Sequence, residues 1–182
     1  MVTQVQVALL RAVNVSGANK LPMAEFRAAL AAAGLTGART YIQSGNLVFR
    51  SDLTGAVASD LIADVVLRRF GFRPPVLVID GAAFQAALAA NPFPRVADPR
   101  HLHAFFMGRA MPDAGFAFLK ALAVAGEEFA VRGRVLWLHL PAGLARSKLA
   151  HRVMNLPVDI TARNLRTVQA VAALAAALAE KG

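Results

Sequence analysis

Hydrophobic and polar positions follow two different periods in the first 80 residues, and each period predicts a different element. Alternation over Val5–Arg11 predicts a strand, and apolar residues at helical spacing over Pro22–Gly34 predict a helix. Two β-rich runs then flank Ser44–Asn46, which predicts a hairpin with a three-residue connection. A second helix over 56–71 and a strand over 74–80 complete this half. The order is therefore strand, helix, strand, strand, helix, strand.

The second half repeats this order without obvious residue identity. Its predicted elements are His101–Gly108, Asp113–Val124, Glu128–Arg132, Val135–Leu140, Arg146–Asn155 and Val158–Ala162. A last helix is predicted over about Asn164–Glu180, and a short helix near Ala82–Ala90 with a proline-rich linker separates the halves. The doubled split βαβ pattern predicts an α+β chain of two ferredoxin-like (βαββαβ) subdomains, residues 1–91 and 92–182, with an extra C-terminal helix.

A polar elbow over Asn14–Lys20 follows the first strand. With the strand order 4-1-3-2, we expect the first and third strands to run parallel and to end at the same edge of the sheet. The elbow then lies at that edge beside the start of the second helix, with the hairpin at the opposite edge. Backbone amides, Gly17 and Lys20 ahead of a helix predict an anion-binding site, with Arg11 and Lys20 the strongest candidates. Asn14 and Asn19 are also ordinary turn residues.

Three further polar groups at the ends of predicted elements are candidate ligand contacts. They are Gln43, Ser44 and Asn46 in the hairpin; Arg146, Ser147 and Lys148; and Thr161, Arg163, Asn164 and Thr167. Each group also has a structural interpretation, because hairpin turns need residues that tolerate positive φ and helices need polar caps. In the structural interpretation, Ser147 is such a cap for one helix. Either Thr161 or Asn164 caps the last helix, which leaves Arg163 free to face a ligand.

Charge and composition narrow the class of partner. The formal net charge is +9, and only four of the 20 basic residues are lysine, so 16 are arginine, the better bidentate partner for phosphate and carboxylate. The alternative is that the arginines merely solvate helix faces. No cysteine, signal peptide or membrane-spanning run is present, so we expect a cytoplasmic protein.

Catalytic and metal-binding patterns are scarce. The 11 acidic residues are dispersed, and Glu127 and Glu128 are sequential on a strand, so their side chains point to opposite faces. His101 and His103 share a strand face but lack a nearby third ligand. No serine has a G-x-S-x-G setting. We therefore expect neither a metal nor a cofactor, and hydrolytic chemistry is not supported.

Four motifs together resemble the bacterial domain-of-unknown-function family 1697. They are "ALLRAVNVSGANK", "RTYIQSGNLVF", "GEEFAVRGRVLWLHLPAGLARSKL" and "TARNLRTV", in the right order and spacing between about Gln4 and Leu174. The resemblance implies a small cytosolic protein with two ferredoxin-like subdomains. It implies no reaction, because the family has no established activity.

The family's motifs mark particular positions of this chain. The family's R-G-I-N-V-G-G maps onto Arg11, Asn14 and Gly17, with Ala12 and Ser16 where the family has glycine. Its Y-I-Q-S-G-N is intact at Tyr41–Asn46, and its R-S-K-L maps onto Arg146–Leu149. Its T-x-R-N-W-x-T maps onto Thr161, Arg163, Asn164 and Thr167. The lost glycines disfavour a tightly approached phosphate. Leu165 stands where the family usually has tryptophan, which disfavours base stacking there.

Three functions are consistent with these residues. The leading hypothesis is a noncatalytic module that binds an anionic ligand, either a nucleotide-like small molecule or nucleic acid. Nucleic acid is the weaker choice, because we expect few exposed aromatic residues on which bases could stack. The second is an enzyme that clamps a phosphorylated or carboxylated substrate between the subdomains, through Arg11, Lys20, Arg146, Lys148 and Arg163. The third is that the motifs are purely structural in a protein that interacts with other proteins.

Overall fold

The computed structural model describes residues 3–15, 17–110 and 113–180, apart from the side chains of residues 113–115. Its strands are β1 (Gln4–Leu10), β2 (Arg39–Tyr41), β3 (Asn46–Ser51), β4 (Val76–Asp80), β5 (Leu102–Met107), β6 (Glu128–Arg132), β7 (Val135–His139) and β8 (Ile160–Asn164). Its α-helices are α1 (Met23–Ala32), α2 (Gly55–Phe70), α3 (Gly81–Ala89), α4 (Lys148–Met154) and α5 (Leu165–Ala179). Ser16, in the predicted elbow, lies outside the described residues. The strands form two four-stranded antiparallel sheets, and with their helices they make the α+β fold that the sequence predicts.

The chain divides into two compact units. Unit 1 comprises residues 1–86 and 170–182, and unit 2 comprises residues 87–169. Helix α5 begins in unit 2 and continues into unit 1, because the division falls after Gln169.

The sheet of unit 1 has the order β2-β3-β1-β4, which is the expected 4-1-3-2 arrangement. The expectation that β1 and β3 run parallel is wrong, since they pair antiparallel with Leu9 opposite Asn46. The reason lies in the connections: α1 returns the chain so that β2 runs in the direction of β1, and the hairpin then reverses β3. The end of β1 therefore lies beside the start of β3.

Helices α1 and α2 cover one face of this sheet. Phe26 and Leu30 of α1 are fully buried, as is Ile62 of α2, and they belong to one cluster with Leu10 and Phe49 of the sheet. The spacing of four between Phe26 and Leu30 places both on the same side of the helix. This cluster holds the ends of β1 and β3 against α1.

The C-terminal half of α5 is attached to unit 1 by two side chains. Arg50 Nη2 on β3 donates to the carbonyl oxygen of Leu178 at 2.5 Å and to that of Ala179 at 3.1 Å, and Gln85 Nε2 on α3 donates to Ala172 O at 2.6 Å. A guanidinium at the last carbonyls of a helix satisfies groups that have no partner within the helix and favours the negative end of the helix dipole. The C-terminal half of the predicted extra helix is thus hydrogen-bonded to β3 and α3 of unit 1.

Unit 2 has the sheet order β6-β7-β5-β8, with a core that contains Phe105, Leu136 and Leu149. The segment that the sequence predicts as its first helix forms a 3₁₀ helix over Asp113–Ala121 instead of an α-helix. Glycine and phenylalanine are weak α-helix formers, and this segment contains one glycine and two phenylalanines. Its buried residues Phe116 and Leu119 are three apart, the spacing that aligns side chains in a 3₁₀ helix.

The two histidines that the sequence places on one strand lie at the start of β5, with His101 just before it and His103 within it. Among the described residues, no group of three or more His, Cys, Asp or Glu side chains is close enough to hold a metal ion. His103 is buried, and its Nδ1 has no hydrogen-bond partner in the described part of the chain. Burial lowers the pKa of His103 below its ordinary value of 6.5, with smaller and opposing contributions from His101.

His103 should make the protein less stable in mild acid. Because the folded-state pKa is lower than that of the unfolded chain, the unfolded state takes up the proton first as the pH falls below about 6.5. The free energy of unfolding should then fall by up to about 1.4 kcal/mol per pH unit until the folded-state pKa is reached. Urea unfolding between pH 7.5 and about 5 measures this slope. The control is His103→Gln, which should flatten it; an unchanged slope would assign the pH dependence to other groups.

Membrane insertion gains no support from the described helices, since none is both long enough and apolar enough to cross a bilayer.

Candidate functional site

Two loops of unit 1 meet at the end of β1, and we call them together the loop junction: residues 11–15 and 17–21, which include the described part of the elbow, and residues 42–46, which include the hairpin turn. Leu10 N donates to Gly45 O at 2.8 Å, which places the hairpin turn directly beside the end of β1. The prediction that elbow and hairpin lie at opposite edges is therefore wrong, because it rests on parallel strands. Arg11 N donates to Pro75 O at 2.9 Å, so the elbow lies by the segment after α2, not at the start of that helix as expected.

Asn14 connects the elbow, the helix entrance and the hairpin. Its Nδ2 donates to Leu21 O at 3.0 Å and to Gln43 O at 2.8 Å, and its Oδ1 accepts from Leu21 N at 2.8 Å. The side-chain amide of Asn14 thus links the elbow to Gln43, which is 29 residues further along the chain. This residue is a structural support of the junction, since both its donor and acceptor atoms are engaged.

Asn19 closes the elbow on itself. Its Nδ2 donates to Ala12 O at 2.8 Å, while its carbonyl accepts from Asn14 N at 3.0 Å. Val15 and Ala18 form an isolated antiparallel bridge across the tip. The elbow is therefore a small, internally hydrogen-bonded loop.

Backbone conformations with positive φ are concentrated in the loop junction. Among the described residues, the non-glycine positions with positive φ are Ala12, Asn14, Asn19 and Ile42, at 47–56°, and all four belong to it. Asparagine tolerates this region, but for alanine and for β-branched isoleucine it is unfavourable. Such strain persists only where surrounding contacts impose it, and it is found preferentially at binding and catalytic sites.

The hairpin turn is held by Asn46. The connection spans Ile42 to Gly45, four residues and not the three predicted, since Asn46 is already the first residue of β3. Asn46 is buried, and its Nδ2 donates to Tyr41 O at 3.1 Å and to Ser44 Oγ at 2.9 Å. The Asn46 amide and the Ser44 hydroxyl therefore stabilise the turn itself, as their structural interpretation predicts.

Three candidate residues of the junction have solvent-accessible surface, and we call the surface that they form its outer side. Lys20 and Gln43 are exposed and Arg11 is half-buried. No ion pair or side-chain hydrogen bond of Arg11 or Lys20 is found within the described residues. Two cations thus flank a scaffold whose asparagines are already engaged.

The two predicted caps in unit 2 are Ser147 and Asn164. Ser147 Oγ accepts from Ala150 N at 3.0 Å at the start of α4, and Asn164 Oδ1 accepts from Thr167 N at 2.9 Å at the start of α5. Of the two candidates for the second cap, Asn164 is correct. Both are the usual Ncap contacts with an amide three residues on.

Arg163 is not free to face a ligand, contrary to expectation. It is buried, and its Nη1 donates to Thr161 Oγ1 at 2.9 Å and to Ala162 O at 2.8 Å. Alternation along β8 places Arg163 and Thr161 on one face, so the guanidinium meets the hydroxyl two residues back. Burial lowers the pKa of Arg163 to about 10, which leaves it charged at neutral pH.

The other marked residues of the two motifs in unit 2, R-S-K-L and T-x-R-N-W-x-T, differ in exposure. Thr161 and Thr167 are buried, whereas Arg146 and Lys148 are exposed on either side of Ser147. β7 ends beside the start of β5 and β8 ends there too, as the pairs Leu102–His139 and His103–Asn164 show. Both motifs therefore leave the sheet of unit 2 at the same end.

A cavity in unit 2 contains none of the predicted site residues. Residues 92–97, Glu128 and His139 line a cavity of about 550 Å³ in unit 2. The sequence offers only the run "NPFPRV", in which a phenylalanine and an arginine lie beside prolines, and the prolines favour a linker. The polar partners come from strands distant in sequence, which no local pattern indicates.

Comparison with known proteins places the chain in a family. The model of a family described as a protein of unknown function (DUF1697) matches residues 3–137. The chain belongs to this family. The DUF1697 match covers the whole loop junction and ends at Trp137, so the motifs around Ser147 and Arg163 rest on the motif resemblance alone.

A solved structure shares the DUF1697 protein's fold. It is the conserved bacterial protein SP0830 from Streptococcus pneumoniae, with a TM-score of 0.75 and 22% sequence identity over 96% of this chain and 99% of that one. At this identity the likeness establishes the fold alone. No curated protein matches the sequence significantly.

Proposed function

We propose that this DUF1697 protein is a binding module for a small anionic ligand of the phosphate-bearing, nucleotide-like kind, held at the outer side of the loop junction. Arg11 and Lys20 would supply the charge, and Gln43 a neutral hydrogen-bonding contact. The observation that carries the proposal is the pair of cations without a described counter-ion on a loop scaffold that its own asparagines hold rigid.

Rigidity of the scaffold supports a binding role. Three amide-mediated contacts of Asn14 and one of Asn19 hold the elbow in place before any ligand arrives. A preformed loop loses little conformational entropy on binding, so the charge of Arg11 and Lys20 is available for affinity. Arginine adds a planar, bidentate donor set suited to phosphate oxygens.

Nucleic acid is the weaker form of this proposal. RNA-binding ferredoxin-like sheets stack bases on exposed aromatic residues of the sheet face. In unit 2 the corresponding aromatic residues Phe105, Phe106 and Trp137 are all buried. A small ligand at the junction does not need such a face.

Loss of either cation should weaken ligand binding. We expect a panel of inorganic phosphate, pyrophosphate and nucleotides to contain a ligand that raises the melting temperature of the wild-type chain. Arg11→Gln or Lys20→Gln should each weaken its affinity by about tenfold, since each removes one charged hydrogen-bond donor. Isothermal titration calorimetry measures the affinities.

The matched controls are Arg132→Gln and Lys120→Gln, which remove the same charges from exposed positions of unit 2. Equal weakening by the controls would mean that net charge, not the junction, attracts the anion. Variants of Arg11 and Lys20 that lose stability but bind normally would favour the structural interpretation. A panel without any stabilising ligand would contradict the proposal.

A further inference from the structure

The cavity in unit 2 has the composition of a small-molecule site. Its volume of about 550 Å³ lies in the usual range for such sites, and most of its lining is apolar, from Pro92, Phe93, Pro94, Val96 and Ala97. The segment is held in a turn, because Phe93 N donates to the Asn91 side chain at 2.9 Å and Val96 N to Phe93 O at 3.3 Å. The two prolines fix φ on both sides of Phe93. The apolar wall is therefore preformed.

A histidine is oriented at the polar side of the cavity. His139 Nδ1 lies 3.3 Å from Glu128 Oε2, across the β6–β7 pair in which these residues face each other. A neutral imidazole that donates from Nδ1 to a carboxylate keeps Nε2 as a hydrogen-bond acceptor. The Phe93 ring packs at a tilt against this imidazole, with 6.5 Å between centroids. His139 can thus accept a hydrogen bond from a hydroxyl or N–H group beside the Phe93 ring.

Arg95 supplies the positive charge at the same cavity. It lies between Pro94 and Val96 in the apolar wall, is exposed, and makes no ion pair with any described residue. The carboxylate of Glu128 is already engaged by His139. That carboxylate stays negative beside a neutral imidazole, and the positive group that the lining offers to a ligand carboxylate is the Arg95 guanidinium, which pairs with a carboxylate through two parallel hydrogen bonds.

We propose that this cavity binds a small aromatic carboxylate that carries a ring hydroxyl. The ring lies against Phe93 and the flanking prolines, the carboxylate pairs with Arg95, and the hydroxyl donates to His139 Nε2. Flat proline and phenylalanine surfaces suit an aromatic ring better than a branched aliphatic group. The site belongs to unit 2 and shares no residue with the loop junction of unit 1.

The experiment follows amide chemical shifts of the full chain during titration with 4-hydroxybenzoate. We expect saturable shifts among residues 92–97 and at the β6 and β7 positions that line the cavity. 4-Hydroxybenzyl alcohol, which lacks the carboxylate, should bind about tenfold more weakly, because one charged hydrogen-bonded pair is missing. Benzoate, which lacks the hydroxyl, should bind several-fold more weakly.

Two variants assign the contacts. Arg95→Gln should remove the advantage of 4-hydroxybenzoate over the alcohol, and His139→Phe, which keeps an aromatic ring, should remove its advantage over benzoate. The matched control is Arg132→Gln, at the other end of β6, which should leave all three affinities unchanged.

Three results would overturn this proposal: no saturable shift with 4-hydroxybenzoate, shifts outside the cavity, or equal loss of affinity in Arg132→Gln and Arg95→Gln. Shifts at Arg11 and Lys20 instead would assign the ligand to the loop junction. Because the anion panel for the junction is tested with variants of unit 1, either proposal can fail without the other.

Discussion

Gly45→Ala should destabilise unit 1 by about 3 kcal/mol, the sum of a strained backbone and an overpacked contact. Gly45 has φ of 74°, and an added Cβ would lie 2.7 Å from Val13 Cγ2 and 2.8 Å from Leu10 Cβ. Leu10 Cβ and its carbonyl belong to the end of β1, which the sheet pairing holds in place. The junction therefore cannot move aside without breaking the Leu10–Gly45 hydrogen bond. Urea unfolding, followed by circular dichroism, measures the loss.

The matched control is Gly37→Ala. Gly37 has nearly the same φ, 71°, but nothing lies within 4 Å of its added Cβ. It should lose only the backbone component, about 1 kcal/mol. Equal destabilisation by the two substitutions would show that Val13 and Leu10 make room for the added Cβ at no cost, and that the junction is not tightly packed.

Asn14→Ala should destabilise unit 1 by about 2–3 kcal/mol, because three hydrogen bonds and an asparagine at positive φ are lost together. The backbone groups of Leu21 and Gln43 would lose their partner on the Asn14 side chain. Amide hydrogen exchange at Leu21 should rise most, because within the described part of the chain that N–H donates to Asn14 Oδ1 and to no backbone carbonyl.

Two further variants separate the causes. Asn14→Gly keeps the positive φ without strain and loses only the hydrogen bonds, so it should be less destabilising than Asn14→Ala by about 1 kcal/mol. Asn14→Asp keeps the acceptor for Leu21 N and loses both donated bonds. If all three variants unfold at the wild-type urea concentration, Asn14 is not the support of the junction, and a direct role in ligand contact becomes the better explanation.

The order of elements and the internal repeat were accessible from the sequence. Alternation in β1 and the four-residue spacing of Phe26 and Leu30 are local patterns, and the observed elements follow them. Helix stops such as Gly71, which has positive φ, are local as well. These elements could be predicted because residues close together in the sequence determine them.

The relation between the two loops of unit 1 was not predicted correctly. The error was one of direction: once β3 is taken as parallel to β1, the hairpin moves to the far edge of the sheet. The observed antiparallel pairing brings Asn14 and Gln43 together, although they are 29 residues apart. Similarly, alternation along β8 put Arg163 on the same face as Thr161, but whether that face is exposed is not a property of the strand.

The sequence by itself determined the two α+β halves, the approximate place of the hairpin turn, the Ser147 cap and the family's marked residues, because these depend on periodicity and on the conformational preferences of single residues. Only the tertiary structure decided what those residues do. In the folded protein the side chains of Asn14, Asn19 and Asn46 donate hydrogen bonds to backbone carbonyl groups. Arg163 is buried, whereas Arg11 and Lys20 remain on the outer side of the junction. The physical reason is that hydrogen-bond partners and burial are set by segments distant in the chain, and a polar side chain is available to a ligand only where those segments leave it unsatisfied.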